Sequence, residues 1–207
     1  MSQIFLTASA NEVMGDLVIH LPLSPNNYKV AFIPTAAEAE DGDHWWLDVD
    51  KNKLIELGFE VEEFSITGMK PEDIEIKLAD KQVIFMAGGN TFHLLDQVIK
   101  TGFDKILQRK LNDGIIYIGS SAGSMIMGKR IDLVKTIDDQ SKAPDLKSNG
   151  LEIVDYALLP HWGDPKIREE YMAGFNDMYV ENLKIIPISN KQYLWFDEGK
   201  LNYIEVK

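Results

Sequence analysis

The chain has 207 residues, with 33 Asp plus Glu against 21 Lys plus Arg, a formal net charge of −12, 45% apolar residues and no cysteine. Those fractions exclude collagen-like, mucin-like and wholly disordered chains, and the missing cysteine excludes disulfides, Cys–zinc sites and thiol nucleophiles. The acid excess argues against a broad footprint for nucleic acid or anionic lipid as partner.

The amino terminus, Met1-Ser2-Gln3-Ile4-Phe5, lacks the basic start of a signal peptide, and Asn11, Glu12 and Asp16 interrupt the apolar residues behind it. No run approaches the ~20 apolar residues of a membrane helix. The expectation is a cytoplasmic protein with one core spanning residues 1–207. In chain order, Ile4-Phe5-Leu6 opens the first strand, Lys29 to Ile33 forms the second before Pro34 stops it, and Phe59 to Ile66 alternates as the third. Gln82 to Met86 and Ile115 to Ile118 are apolar throughout and run into glycine, as strands buried on both faces do. Leu47 to Leu57 and Thr91 to Leu111 carry apolar residues at helical spacing, the second stretch broken near Gly102. Strands alternating with helices predict right-handed βαβ units and a mostly parallel sheet. Lys135 to Gly150 is polar and reads as a long loop. Lys184 to Ile188, Tyr193 to Phe196 and Leu201 to Val206 predict an antiparallel extension, with Glu198-Gly199-Lys200 as a hairpin turn.

Gly119-Ser120-Ser121-Ala122-Gly123 fits G-x-S-x-G directly after a predicted strand. The pattern has a steric reason. A serine on a sharp strand-to-helix turn points its hydroxyl out of the sheet edge, and the crowded turn requires small neighbours. The Ala122 N–H is the natural first oxyanion donor. Gly88-Gly89-Asn90-Thr91 reads as a tight turn with Asn90 or Thr91 capping the next helix, and as a flexible backbone able to add a second donor. Neither a dinucleotide-binding fingerprint nor a P-loop is present, so no cofactor is expected.

A nucleophilic serine needs a base. Of four histidines, His161 in Leu158-Leu159-Pro160-His161-Trp162-Gly163 falls at a strand end, just before Asp164-Pro165, which reads as a helix cap and first position. Strand carboxyl ends share one edge in such sheets, so His161 and Ser121 are expected to meet there. His93 competes from the next turn along the same edge. His44, in Glu40-Asp41-Gly42-Asp43-His44, has poor metal-ligand company and reads as a loop residue, so no metal is expected. For a group that orients the base, the residues leave Asp138, Asp139 and Glu198 open.

Together, Phe85 to Phe92, Tyr117 to Gly123, Leu159-Pro160-His161 and Asp197-Glu198-Gly199 resemble the peptidase E family of serine peptidases, which includes aspartyl dipeptidases and cyanophycinase. The resemblance implies a three-layer α/β sandwich, flavodoxin-like in outline and of the class I glutamine amidotransferase type, with serine where those enzymes use cysteine. It also implies a Ser121 nucleophile, a His161 base and oxyanion N–H groups at Gly89 and Ala122. Asp138, in Thr136-Ile137-Asp138, aligns with the family's third member; Asp139 is one slip away and Glu198 is the fallback. Asn90, Trp162 and Arg168 are carried as substrate-binding candidates. The chain departs from the aspartyl dipeptidases in one respect: their histidine is followed by a longer segment whose arginine reads the substrate carboxylate. The implied function is hydrolysis of a small peptide. The rival readings are an esterase or acyl transferase on the same elbow, and a non-catalytic binding domain of the same fold.

Overall fold

The computed structural model describes residues 3–146, 149–174, 176, 182–197 and 199–207. Five strands run parallel: β1 (Ile4–Thr7), β2 (Lys29–Ile33), β3 (Glu60–Glu63), β4 (Val83–Met86) and β5 (Ile116–Ser120). β8 (Gln192–Asp197) pairs antiparallel with β1, and β9 (Lys200–Glu205) antiparallel with β8. The sheet order is β3-β2-β4-β5-β1-β8-β9. The parallel core and its antiparallel C-terminal edge are those expected from the sequence.

Alternation along each central strand feeds two cores. Ile84 and Met86 of β4 face one side and Val83 and Phe85 the other, every one fully buried. On the first side α3 (Pro71–Lys77), α4 (Thr91–Lys100) and α5 (Phe103–Asn112) supply Ile74, Phe92, Leu95, Ile106 and Leu107. On the second, α1 (Ala10–Leu17) and α2 (Trp45–Glu56) supply Val13, Leu17 and Leu54, and Phe32 stacks on Phe85 at 5.0 Å. The break between α4 and α5 falls at Gly102, whose φ of +72° a side chain would resist. β3 ends the sheet with Glu60, Glu62 and Glu63, charges that discourage edge-to-edge pairing.

One assignment differs from expectation. Residues 184–188 do not join the antiparallel extension. Their strand, β7 (Ile185–Pro187), pairs parallel with β6 (Ala157–Leu159) in a separate two-stranded sheet. The reason is burial: Leu183 and Ile185 pack onto a third cluster formed by Leu133, Ala157, Leu159 and Tyr171. Tyr171 comes from α7 (Pro165–Ala173), which starts as expected with Asp164 as its cap. A 3₁₀ turn at Asp132–Val134 precedes the expected loop, Lys135 to Gly150, and among its described residues that loop contains one further 3₁₀ turn, Gln140–Lys142. Among the described residues no helix is long and apolar enough to cross a membrane.

Candidate active site

The carboxyl ends of β1, β2, β4 and β5 gather on one edge, with Thr7 opposite Ser120 and Met86 opposite Gly119. Ser121 leaves β5 there at φ 49°, ψ −109°, a conformation unfavourable for any residue with a Cβ. α6 (Ala122–Met125) begins at the next residue. The turn tolerates only glycine at two places. A Cβ on Gly119 would lie 2.7 Å from the Gly123 carbonyl carbon, and one on Gly123 would lie 2.8 Å from that of Met86. Beneath the turn, Ser124 Oγ accepts the Thr7 N–H (2.8 Å) and lies 2.7 and 2.8 Å from the carbonyls of Thr7 and Gly119. This fully buried network locks α6 to β1 and β5, so the strain at Ser121 is held by its surroundings. α6 has four residues, too short for a large dipole; what it offers is free N–H groups. The Ala122 N–H makes no hydrogen bond among the described residues, nor does that of Gly89.

His161 follows β6 at φ 60°. Two bonds extend the β6–β7 pairing past the strand ends: Ile188 N–H to the Leu159 carbonyl (3.0 Å) and Trp162 N–H to the Ile188 carbonyl (3.0 Å). They hold the ring over the elbow. His161 Nε2 stands 3.0 Å from Ser121 Oγ, and Nδ1 stands 2.8 Å from Asn190 Oδ1. With Asn190 as acceptor, Nδ1 carries the proton and Nε2 is free to accept the serine proton. Burial lowers the imidazole pKa below its ordinary value, against raising contributions from the Asn190 bond and the Asp164 and Glu12 carboxylates. The ring is therefore neutral at pH 7.

Among the described residues it is Asn190, not Asp138 or Asp139, that stands at Nδ1. Asp138 is turned elsewhere: its Oδ2 accepts the Thr91 N–H at 2.7 Å, at the start of α4. Burial pushes its carboxyl up to about 6, against the lowering effect of the Thr91 bond. Asp139 is exposed and caps the turn at residues 140–142, accepting the Ser141 N–H at 2.9 Å. Glu198 lies outside the described residues. Nothing local in the sequence marks Asn190, because residues 184–188 read as part of the antiparallel edge. Once β7 pairs with β6, the loop after it must emerge beside His161, and that pairing is the signal that finds it.

The other candidates occupy supporting or peripheral places. Asn90 caps α4, its Oδ1 accepting the His93 N–H at 3.0 Å. His93 Nε2 faces Glu38 at 3.6 Å instead of the elbow. His44 Nε2 is 3.0 Å from the Glu40 carbonyl, at the start of α2. Trp46 Nε1 donates to the Gly88 carbonyl at 3.3 Å. Trp162 stacks on Tyr171, and Arg168 is exposed on α7. Among the described residues no group of three or more His, Asp or Glu side chains converges as a metal site.

A model of peptidase family S51 matches residues 6–204. An uncharacterized peptidase of Pasteurella multocida is 33% identical over 93% of this chain and 92% of its own. A peptidase E of Shewanella denitrificans is 30% identical over 69% of this chain and 57% of its own. Among solved structures, a Listeria monocytogenes EGD-e protein provisionally described as a peptidase E superposes with a TM-score of 0.90 at 30% identity, covering both chains in full. A peptidase from an acI-B1 actinobacterium shares the fold, with a TM-score of 0.70 at 16% identity over 100% of this chain and 88% of that one. The chain belongs to peptidase family S51 and is a serine-type peptidase.

Proposed function

We propose that the protein hydrolyses small peptides of dipeptide size, with Ser121 as nucleophile, His161 as general base and Asn190 as the group that orients the base. The observation that carries this reading is the chain of contacts Ser121 Oγ to His161 Nε2 at 3.0 Å and His161 Nδ1 to Asn190 Oδ1 at 2.8 Å. Ser121 Oγ attacks the scissile carbonyl carbon as its proton passes to Nε2. The C=O π pair moves onto the oxygen, which the Gly89 and Ala122 N–H groups receive, each worth ~3–4 kcal/mol if lost. Collapse breaks the C–N bond, and the amine leaves with the proton from Nε2. A water then gives its proton to Nε2 and attacks the acyl ester, releasing the acid and restoring Ser121. The neutral ring suits both halves of this cycle. The chemistry uses no cofactor. The reading treats residues 1–207 as one hydrolytic domain acting in the cytoplasm.

The dipeptide size rests on the resemblance to peptidase E. Preference for an amino-terminal Asp is not part of the proposal: α7 starts at Pro165, four residues after His161, and Arg168 is exposed on it. The test is a dipeptide library assayed beside short-chain esters, with Ser121→Ala as control. Expected are turnover of a dipeptide subset, its loss in Ser121→Ala, and labelling of Ser121 by a fluorophosphonate probe. Ester turnover without peptide turnover refutes the substrate class. An active Ser121→Ala variant refutes the mechanism.

A further inference from the structure

Asp138 aligns in sequence with the member of the family site expected to orient the base, yet it makes no contact with the imidazole. Its carboxylate meets the Thr91 N–H at 2.7 Å. The charges that act on the His161 ring are those of Asp164 and Glu12. The Glu40 charge acts on the Asp138 carboxyl, and the Asp138 charge in turn acts on the Tyr171 hydroxyl. This half-buried carboxylate is committed to a backbone N–H beside the elbow, a contact that calls for a role.

The segment it holds is the turn 88–91. A Cβ on Gly88 would come within 3.1 Å of Ser121 Cβ, so this backbone lies directly against the nucleophile. Gly89 has φ +140°, and a Cβ there would come within 2.6 Å of the Ala37 nitrogen. Gly88 and Gly89 carry no side chain of their own, so the Asn90 cap, the Trp46 bond to the Gly88 carbonyl and the neighbouring segments hold the turn. On one side the Ala36 carbonyl accepts the Asn90 N–H at 2.9 Å. On the other, Asp138 accepts the Thr91 N–H and the Asp139 carbonyl accepts Asn90 Nδ2 at 3.2 Å. The connection 132–146 thus clamps two consecutive residues immediately after Gly89.

We propose that Asp138 is a positioning residue for the oxyanion turn: it fixes the direction of the Gly89 N–H toward the site above Ser121, and does not orient His161. The proposal rests on the function proposed above. In Asp138→Ala the clamp loses its strongest contact, and Gly89 is free to swing the donor away. Complete loss of an oxyanion donor costs about 10²–10³ in kcat, so a loosened one should cost roughly 10–100-fold. Because the donor acts on charge that develops in the transition state, the loss should fall on kcat with KM little changed.

The experiment compares Asp138→Ala, Asp138→Asn and the parent chain on one cleaved dipeptide, with kcat/KM followed across pH. Expected are a 10–100-fold fall in kcat for Asp138→Ala and an unshifted acidic limb. Recovery to within about threefold is expected in Asp138→Asn, whose amide oxygen still accepts the Thr91 N–H. An acidic limb displaced in either variant, or equal losses in both, would overturn the proposal in favour of a charge acting on the base. Parent-like kcat in Asp138→Ala would overturn it too. If Asp138→Ala does not fold, Asp138→Asn decides alone: near-parental kcat with an unshifted limb supports the clamp, and a large loss or a shifted limb refutes it. Fluorophosphonate labelling of Ser121 in the parent is the separate check. Labelling with a failed clamp test sinks only this inference; no labelling sinks the function beneath it.

Discussion

Asn190→Asp is the sharpest test of how the base is held. The substitution keeps an acceptor oxygen 2.8 Å from His161 Nδ1 and adds a full negative charge. Placed about 4 Å from the centre of the imidazolium, with an effective dielectric near 20, that charge is worth about 4 kcal/mol, or about 3 pKa units. The ring is half-buried and the new carboxylate bears its own desolvation, so about half of this survives, a rise of roughly 1–2 units. The sign follows. Burial holds the native ring below its ordinary pKa, so its acidic limb lies on the low side. A carboxylate at position 190 stabilises the imidazolium and moves the acidic limb of kcat/KM upward, so activity is lost on the acidic side at a higher pH than in the parent and kept on the alkaline plateau. Asn190→Ala removes the acceptor and frees the tautomer; it should lower kcat/KM about 10²–10³-fold, somewhat less than the ~10⁴ seen when a base is held in the wrong tautomer. The assay is kcat/KM from pH 4.5 to 9 on a single dipeptide. An unmoved limb in Asn190→Asp, or an Asn190→Ala variant within twofold of the parent, would refute the assignment.

Three further outcomes concern stability. Ser121→Gly should be about 1 kcal/mol more stable than Ser121→Ala in urea, because both lack the hydroxyl and only glycine relaxes φ 49°; equal midpoints would mean the turn holds no strain. Ser124→Ala removes the acceptor of the buried Thr7 N–H and should cost about 1–3 kcal/mol in the same assay, with the elbow loosened and kcat reduced. Asp50, buried beside the Asn11 N–H, has its carboxyl pushed up to about 6 from 3.8, with burial as the main cause. A folded-state pKa above the unfolded one means that ionisation disfavours the fold, so this contribution falls by up to about 3 kcal/mol as pH rises from 4 to 7. Asp50→Asn should remove that slope, read as urea midpoints at pH 4, 5, 6 and 7. A variant whose stability declines as steeply as the parent's would refute it.

The sheet was legible because its central strands are buried on both faces. Val83-Ile84-Phe85-Met86 and Ile116-Tyr117-Ile118 can only be apolar there, and glycine must follow where α6 packs close to β4 and β5. The α4–α5 break was legible from a glycine that the backbone uses at positive φ. β7 was not. Ile185-Ile186-Pro187 is three residues long, and nothing local distinguishes a parallel partner 28 residues back from an antiparallel one ahead. Pairing of short strands is decided by what the surrounding cluster buries, here Leu159 and Tyr171, and that is a tertiary fact.

The site divides along the same line. Ser121 and His161 were legible as candidates because each stands at a strand end with a steric signature around it. A residue that orients an imidazole has no such signature, since the ring N–H asks only for an oxygen at hydrogen-bond distance. A match to Thr-x-Asp pointed to Asp138, while the fold delivered Asn190 from a different loop. Electrostatics gives this outcome a rationale. Asp164 and Glu12 already raise the ring's pKa, and the chain carries twelve more negative than positive charges. A carboxylate in direct contact with Nδ1 would add the largest raising contribution and bring the protonated ring toward neutral pH. The amide oxygen fixes the tautomer without that charge. On the proposed mechanism, a neutral acceptor keeps the oriented ring unprotonated in a strongly acidic protein.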